Sequence, residues 1–238
     1  MGRLPIGLIL LIVVSVLIYL GLAHRILDRM RLTDKAALGI LAAMVIGSLI
    51  DIPIPVGRTI LALNVGGALV PLGLAIYLVV TADQANEKAR AVFAALFTGI
   101  VVYAIGTYLM RGLQEPAGRF AVLDVIWLYP LVAGVVAYIV GRSRRAAFVG
   151  AAVGVLLADV FQLSRLAWAG LPGVIHVGGA GAFDVVVTAS LFAVLLAEVI
   201  GEVRERLAGG PQAAGRDRET LIALKSPKEE EGGKNGQT

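Results

Sequence analysis

The chain has 238 residues, 58% of them hydrophobic and 16% charged, where a soluble domain carries about 45–50% and about 25%. This displacement excludes an ordinary water-soluble globule, a disordered chain and a nucleic-acid-binding domain. The net charge of +4 does not alter that, because the basic residues lie between apolar runs. Cysteine is absent, so disulfides, thiolate metal sites and cysteine nucleophiles are excluded.

In chain order, seven stretches approach the roughly 20 apolar residues that a membrane-spanning helix needs. The first, Leu4–Ala23, follows Arg3 as a signal peptide would. It is long, lacks a small-x-small cleavage site and ends in His24-Arg25, so it reads as a retained span. The second, Ala36–Ile52, carries Asp51 at its end. Pro53 and Pro55 stop it and force an extended segment, since proline lacks an amide donor and restricts the residue before it. The third, Leu61–Val80, opens on Asn64-Val65-Gly66-Gly67-Ala68 and contains Pro71. Ala91–Met110 is the fourth. Ala121–Val140 is the fifth, with Asp124 near its start and Pro130 inside. The sixth, Ala146–Leu163, holds Asp159 near its end. Arg165, Trp168 and His176 follow in an interfacial connection broken by Pro172-Gly173. The seventh, Ala182–Val203, is led in by Val177-Gly178-Gly179-Ala180-Gly181, with Asp184 at its start and Glu198 and Glu202 reaching water at the far end. Residues 1–203 therefore read as an all-α transmembrane domain. Residues 204–238, with Gly209-Gly210-Pro211 and Glu229-Glu230-Glu231, read as a disordered tail.

Lysine and arginine set the orientation. Arg25, Arg29, Arg31, Lys35, Lys88, Arg90, Arg142, Arg144 and Arg145 fall on one side, and only Arg3, Arg58, Arg111, Arg119 and Arg165 on the other. The positive-inside rule then predicts an outside N-terminus and a cytoplasmic C-terminus in a multi-pass protein of the cell membrane, with the lipid bilayer as its first partner. In this threading Asp51, Asn64, Asp124, Asp159 and Asp184 all fall in the outer half. An intramembrane carboxylate costs on the order of 2.5–3.5 kcal/mol on insertion scales, so it is expected to face a protein-lined cavity. Asp159 and Asp184, flanked by apolar residues, are the strongest candidates for catalysis. Asp51, Asn64, Gly66, Gly67, Gly178, Gly179 and Gly181 are candidates to line the cavity, since paired glycines permit close helix approach or a broken backbone. Val65-Gly66-Gly67-Ala68 also matches Val177-Gly178-Gly179-Ala180, which suggests parallel three-helix repeats joined by the fourth span. No metal-ligand spacing, Walker loop or dinucleotide fingerprint occurs, so neither metal nor cofactor is expected.

Two resemblances rest on these residues. Asn64 through Pro71, Leu157-Ala158-Asp159 and Gly178 through Asp184 resemble an uncharacterised prokaryotic family of multi-span membrane proteins. An aspartate in the sixth span followed by a glycine-led aspartate in the seventh is similar to the presenilin and signal-peptide-peptidase class of intramembrane aspartyl proteases. Here Ala182 and Phe183 intervene between Gly181 and Asp184, and no Pro-Ala-Leu motif is present. That second resemblance implies a transmembrane peptide as substrate and Asp159 and Asp184 as catalytic pair, one activating water while the other protonates the scissile carbonyl. The repeat resembles the plan of the SWEET sugar transporters and implies a small-solute or proton-coupled carrier instead. A third reading is a non-catalytic scaffold packed through glycine-rich faces.

A reporter that works only in the cytoplasm is expected to be active when fused after Thr238. An inactive fusion, with an exported reporter active at the same point, would overturn the orientation.

Overall fold

The structure is a computed structural model and describes residues 30, 32–109, 121–179 and 184–207. The expected first span, Gly181, the tail beyond residue 207 and the side chain of Asp124 lie outside the described residues. Contacts divide the chain into Met1–Glu198 and Val199–Thr238, and the described part of the second unit is only the end of the last helix. The elements of the first unit are helix α1 (Asp34–Gly47), strands β1 (Asp51–Val56) and β2 (Thr59–Asn64), a π-helical turn (Val65–Leu69), helix α2 (Val70–Val80) and helix α3 (Ala85–Ala104). A second π-helical turn (Ile105–Leu109), α4 (Ala121–Gly141), α5 (Arg144–Trp168), β3 (Gly173–Val177) and the start of α6 (Val185–Leu207) complete it.

The described chain is mostly helical. Three helices are long and apolar enough to cross a membrane, at Ala85–Tyr108, Arg144–Trp168 and Val185–Arg204, which fits a membrane protein. They correspond to the expected fourth, sixth and seventh spans. The expected second and third spans are corrected. The second ends as helix at Gly47 rather than Ile52, and Leu61–Asn64 of the third is strand, leaving the apolar helix Val65–Val80. The extended segment expected of Pro53 and Pro55 is β1, paired antiparallel with β2 through Pro53↔Ala62 and Pro55↔Ile60. β1 lies at the edge of a sheet ordered β1-β2-β3, where a missing amide donor is tolerated. An all-α reading therefore misses a three-stranded sheet, whose parallel β2–β3 pairing joins segments more than a hundred residues apart.

The packing is inverted relative to a soluble bundle. On α3 the inward face is Ala91, Ala94, Ala95, Thr98 and Gly99, while Phe93, Leu96, Phe97 and Ile100 are exposed. Bulky apolar groups outside and small ones inside suit helices in lipid, where association depends on close backbone contact rather than on exclusion of water. The most extensive helix contact is α3 with α5. A Cβ placed on Gly150 would come within 2.9 Å of the Ala94 Cβ, and one on Gly154 within 2.7 Å of the Thr98 Cβ. Gly99 faces the Gly154 carbonyl at 3.0 Å in the same sense. Helix α5 also packs on α4 and α2, and eleven of its residues are buried, so it is the central helix of the bundle.

Polar groups close the other end. Ser143 caps α5 by accepting the Ala146 amide at 3.1 Å, and its hydroxyl donates to Glu87 Oε1 at 3.2 Å. Arg144 Nε donates to Glu198 Oε2, so the expectation that Glu198 simply reaches water is replaced by an ion pair between α5 and α6. This ties the N-terminal ends of α3 and α5 to each other and to α6 where the sequence showed only scattered charges.

Glycine positions differ sharply in what they tolerate. A Cβ on Gly66 would sit far inside van der Waals contact distance of the Met44 carbonyl oxygen, whereas one on Gly73 meets nothing within 4 Å. Gly66→Ala is expected to cost at least about 2 kcal/mol by overpacking. Gly73→Ala is expected to be neutral, or stabilising by up to about 1 kcal/mol, by helix propensity. Thermal unfolding of the two variants in the same detergent checks the contrast, and equal melting temperatures would contradict it.

Candidate functional site

The residues nominated from sequence fall into two groups in space. One is a structural knot where the β1–β2 hairpin meets α1 and α2. Asn64 is 1% exposed and donates through Nδ2 to the Ser48 carbonyl at 3.0 Å and to Asp51 Oδ1 at 3.0 Å. Its Oδ1 accepts the Gly67 amide at 2.8 Å and so caps the π-helical turn. A buried amide with its hydrogen bonds made in this way anchors the hairpin to the helix that follows. Gly66 lies against the Met44–Ser48 backbone, and Gly178, at φ +68°, lies against Gly67 and Ala68, where only a glycine fits. Asp51, Asn64, Gly66, Gly67 and Gly178, expected to line a cavity, join elements to one another and are not among the residues that line the cavity of Asp159 and Asp184.

The second group forms a cavity of about 490 Å³. Asp159 and Asp184 both line it, together with Val102, Tyr103, Gly106, Thr107, Tyr129, Val155, Ala158, Gln162, Arg165, His176 and Val185. Helix α5 supplies one wall: Val155, Ala158, Asp159, Gln162 and Arg165 recur at three- and four-residue spacing, which places them on one helix face. Helix α3 continues into the π-helical turn at Ile105–Leu109, which offers Gly106 and Thr107. Such a widened turn re-aims the backbone and recurs at functional sites. A Cβ on Gly106 would come within 2.7 Å of the Tyr129 Oη, so the glycine makes room for that phenol. Tyr103 is held edge-on to Phe161, centroids 5.8 Å apart at 74°.

Asp184 occupies the N-cap of α6. Its Oδ1 accepts the Val186 amide at 3.0 Å, and its carbonyl accepts the Thr188 amide at 3.0 Å and hydroxyl at 2.9 Å. The carboxyl is thereby fixed at the positive end of a helix dipole. His176 comes from β3, paired with β2 at Ala62, where alternation buries Ile175 and Val177 and turns His176 out of the core. Gly179 sits against the His176 side chain, with a Cβ there 2.5 Å from that of His176.

Sequence reasoning nominated Asp159 and Asp184, which the fold brings to one cavity. It missed Tyr103, Thr107, Tyr129 and Gln162, and it read Arg165 and His176 as interfacial, with a proton carrier as the alternative for His176. The three-residue spacing of Asp159, Gln162 and Arg165 was the available signal for the α5 wall. Nothing local marks the two tyrosines.

A family described as "Protein of unknown function (DUF1614)" matches residues 12–196. That extent bears out the resemblance to an uncharacterised family over most of the chain. No curated protein and no solved structure matches significantly.

The two groups of residues respond differently to substitution. Asn64→Ala leaves the Ser48 carbonyl and the Gly67 amide without their buried partner, which is expected to cost about 1–3 kcal/mol. Asp159→Asn, which keeps size and hydrogen-bonding capacity, is expected to leave the melting temperature within a degree or two. Thermal melts in detergent read both, and a destabilised Asp159→Asn beside an unchanged Asn64→Ala would reverse the assignment.

Proposed function

We propose that this chain, which belongs to the DUF1614 family of proteins of unknown function, is a multi-pass cell-membrane protein that hydrolyses peptide bonds within the bilayer through Asp159 and Asp184. The observation that carries the reading is that one cavity is lined by both carboxylates, from α5 and from the cap of α6. Seven spans with the N-terminus outside set that cavity in the outer half of the membrane. Trp168, 92% exposed just beyond it, suits the lipid headgroup level at that end.

The chemistry follows from the two settings. Asp184, fixed at the positive end of α6, is the carboxylate and takes a proton from water as the water oxygen attacks the peptide carbonyl carbon. Asp159, protonated, donates to the carbonyl oxygen. The tetrahedral intermediate collapses when the nitrogen gains a proton from Asp184 and the C–N bond breaks, and the carbonyl re-forms as its hydroxyl proton returns to Asp159. Tyr103, Tyr129 and Gln162 supply hydroxyl and amide groups along the walls for a bound peptide backbone.

A carrier is the second reading, and a separate observation favours it. β2 and β3 run parallel, each leads into a Gly-Gly pair, and Gly178 of the second pair touches Gly67 and Ala68 of the first. Two three-helix repeats meeting at their matching glycines would have this contact.

The test separates the two. Wild type, Asp159→Asn and Asp184→Asn are incubated in lipid with a library of single-span peptides, and products are read by mass spectrometry. Wild-type cleavage blocked by an aspartyl-protease transition-state inhibitor is expected. Either single variant is expected to lose it by at least about a thousandfold, and the double variant by little more, because the pair acts as a unit. No inhibitor-sensitive product, or cleavage persisting in Asp184→Asn, would end the protease reading in favour of the carrier.

A further inference from the structure

The cavity changes character along its length in a way that peptide hydrolysis alone does not require. On the α5 wall, Val155 and Ala158 are buried, Asp159 and Gln162 are half-buried, and Arg165 is exposed. One axis thus runs from an apolar floor past the carboxylates to a basic mouth. His176 of β3 is also exposed and lines the same cavity. The side chains of Arg165 and His176 have no ion-pair or hydrogen-bond partner among the described residues, whereas Arg144 is paired with Glu198. A cation in the last turn of a helix has a local use against the helix dipole. That use does not explain why a second nitrogen-bearing side chain arrives from a different element at the same opening.

We infer that Arg165 and His176 form an anion-reading mouth that selects peptides bearing a carboxylate a few residues beyond the reacting bond. The inference rests on the hydrolytic reading of Asp159 and Asp184 and names its substrate class. Asp159 and Arg165 are six residues apart on one helix, a rise of about 9 Å at 1.5 Å per residue. An extended peptide covers that span in about three residues at 3.3 Å each. A peptide with its reacting carbonyl at the carboxylates therefore places a C-terminal carboxylate, or an acidic side chain near it, beside Arg165. The planar guanidinium suits a carboxylate bidentately, and a ring N–H of His176 adds a donor from β3. The same anionic oxygens occur on lipid phosphates, so the test distinguishes the two sources.

The full chain carrying Asp159→Asn and Asp184→Asn, which does not consume its ligand, is placed in phosphatidylcholine nanodiscs. Binding is read by fluorescence anisotropy of two dye-labelled apolar hexapeptides, identical except that one ends in a free carboxylate and the other in an amide. The carboxylate probe is expected to bind about tenfold or more tightly than the amide, the usual scale for a charge-assisted hydrogen bond. Adding Arg165→Gln is expected to bring the ratio near one while leaving the affinity for the amide probe and the melting temperature unchanged. Arg165→Lys is expected to restore part of the preference, and His176→Gln to reduce it by a smaller factor. A ratio near one without the mouth substitutions, or a preference that survives Arg165→Gln together with His176→Gln, would overturn the inference. So would a preference abolished by replacing part of the phosphatidylcholine with phosphatidylglycerol, which would assign the mouth to lipid headgroups. Cleavage by the unsubstituted chain is scored separately. Carboxylate preference without cleavage keeps the mouth and removes the hydrolytic reading, and cleavage without preference does the reverse.

Discussion

Close backbone contact between α3 and α5 organises the described bundle. Gly150, Gly154, Gly99, Ala94, Ala95 and Thr98 leave no room for larger side chains along that seam. In lipid, two apolar helices gain little by hiding from their surroundings, so contact through small residues must hold them together. The register of this seam then carries upward. Past Thr98 and Gly154, the same two helices present Val102, Tyr103, Val155 and Asp159 to a common space. The cavity opens where larger and polar side chains join glycine and alanine along the seam.

Helix termini and irregular turns do the rest of the positioning. The cavity draws on the π-helical turn after α3, the N-cap of α6, the last turns of α5 and strand β3. Each of these presents polar groups that a regular helix interior keeps satisfied within itself. Asp184 illustrates this: its carboxyl serves α6 as a cap and faces the cavity at once. The far end of the bundle shows the opposite use of polar groups. There Ser143, Glu87, Arg144 and Glu198 meet one another and tie helix ends together.

The three-stranded sheet reconciles two demands of the chain between α1 and α2. Pro53 and Pro55 forbid a helix there, and a short strand at a sheet edge accepts them. Asn64 then turns the hairpin back into helix by holding Ser48, Asp51 and Gly67 together. Pairing β3 alongside β2 sets His176 next to α5 and brings Gly178 onto Gly67, so the sheet links the start of the described chain to the segment before α6.

Composition and local spacing suffice for the apolar spans of α3, α5 and α6, for the break at Pro53 and Pro55, and for singling out Asp159 and Asp184. These follow from composition and spacing within a few turns of chain, which is the range over which hydropathy, proline and charge act. Tertiary structure decided that Leu61–Asn64 is strand rather than helix, because its pairing partners include Gly173–Val177, far along the chain. It decided too that Asp51 and Asn64 bind each other while Asp159 and Asp184 share a cavity, although all four began as similar polar residues near the ends of apolar runs. Tyr103, Tyr129, Gln162, Arg165 and His176 converge only once α3, α4, α5 and β3 are packed. A side chain's neighbours across a helix seam or a parallel strand pair are set by contacts between distant segments, and no local pattern encodes them.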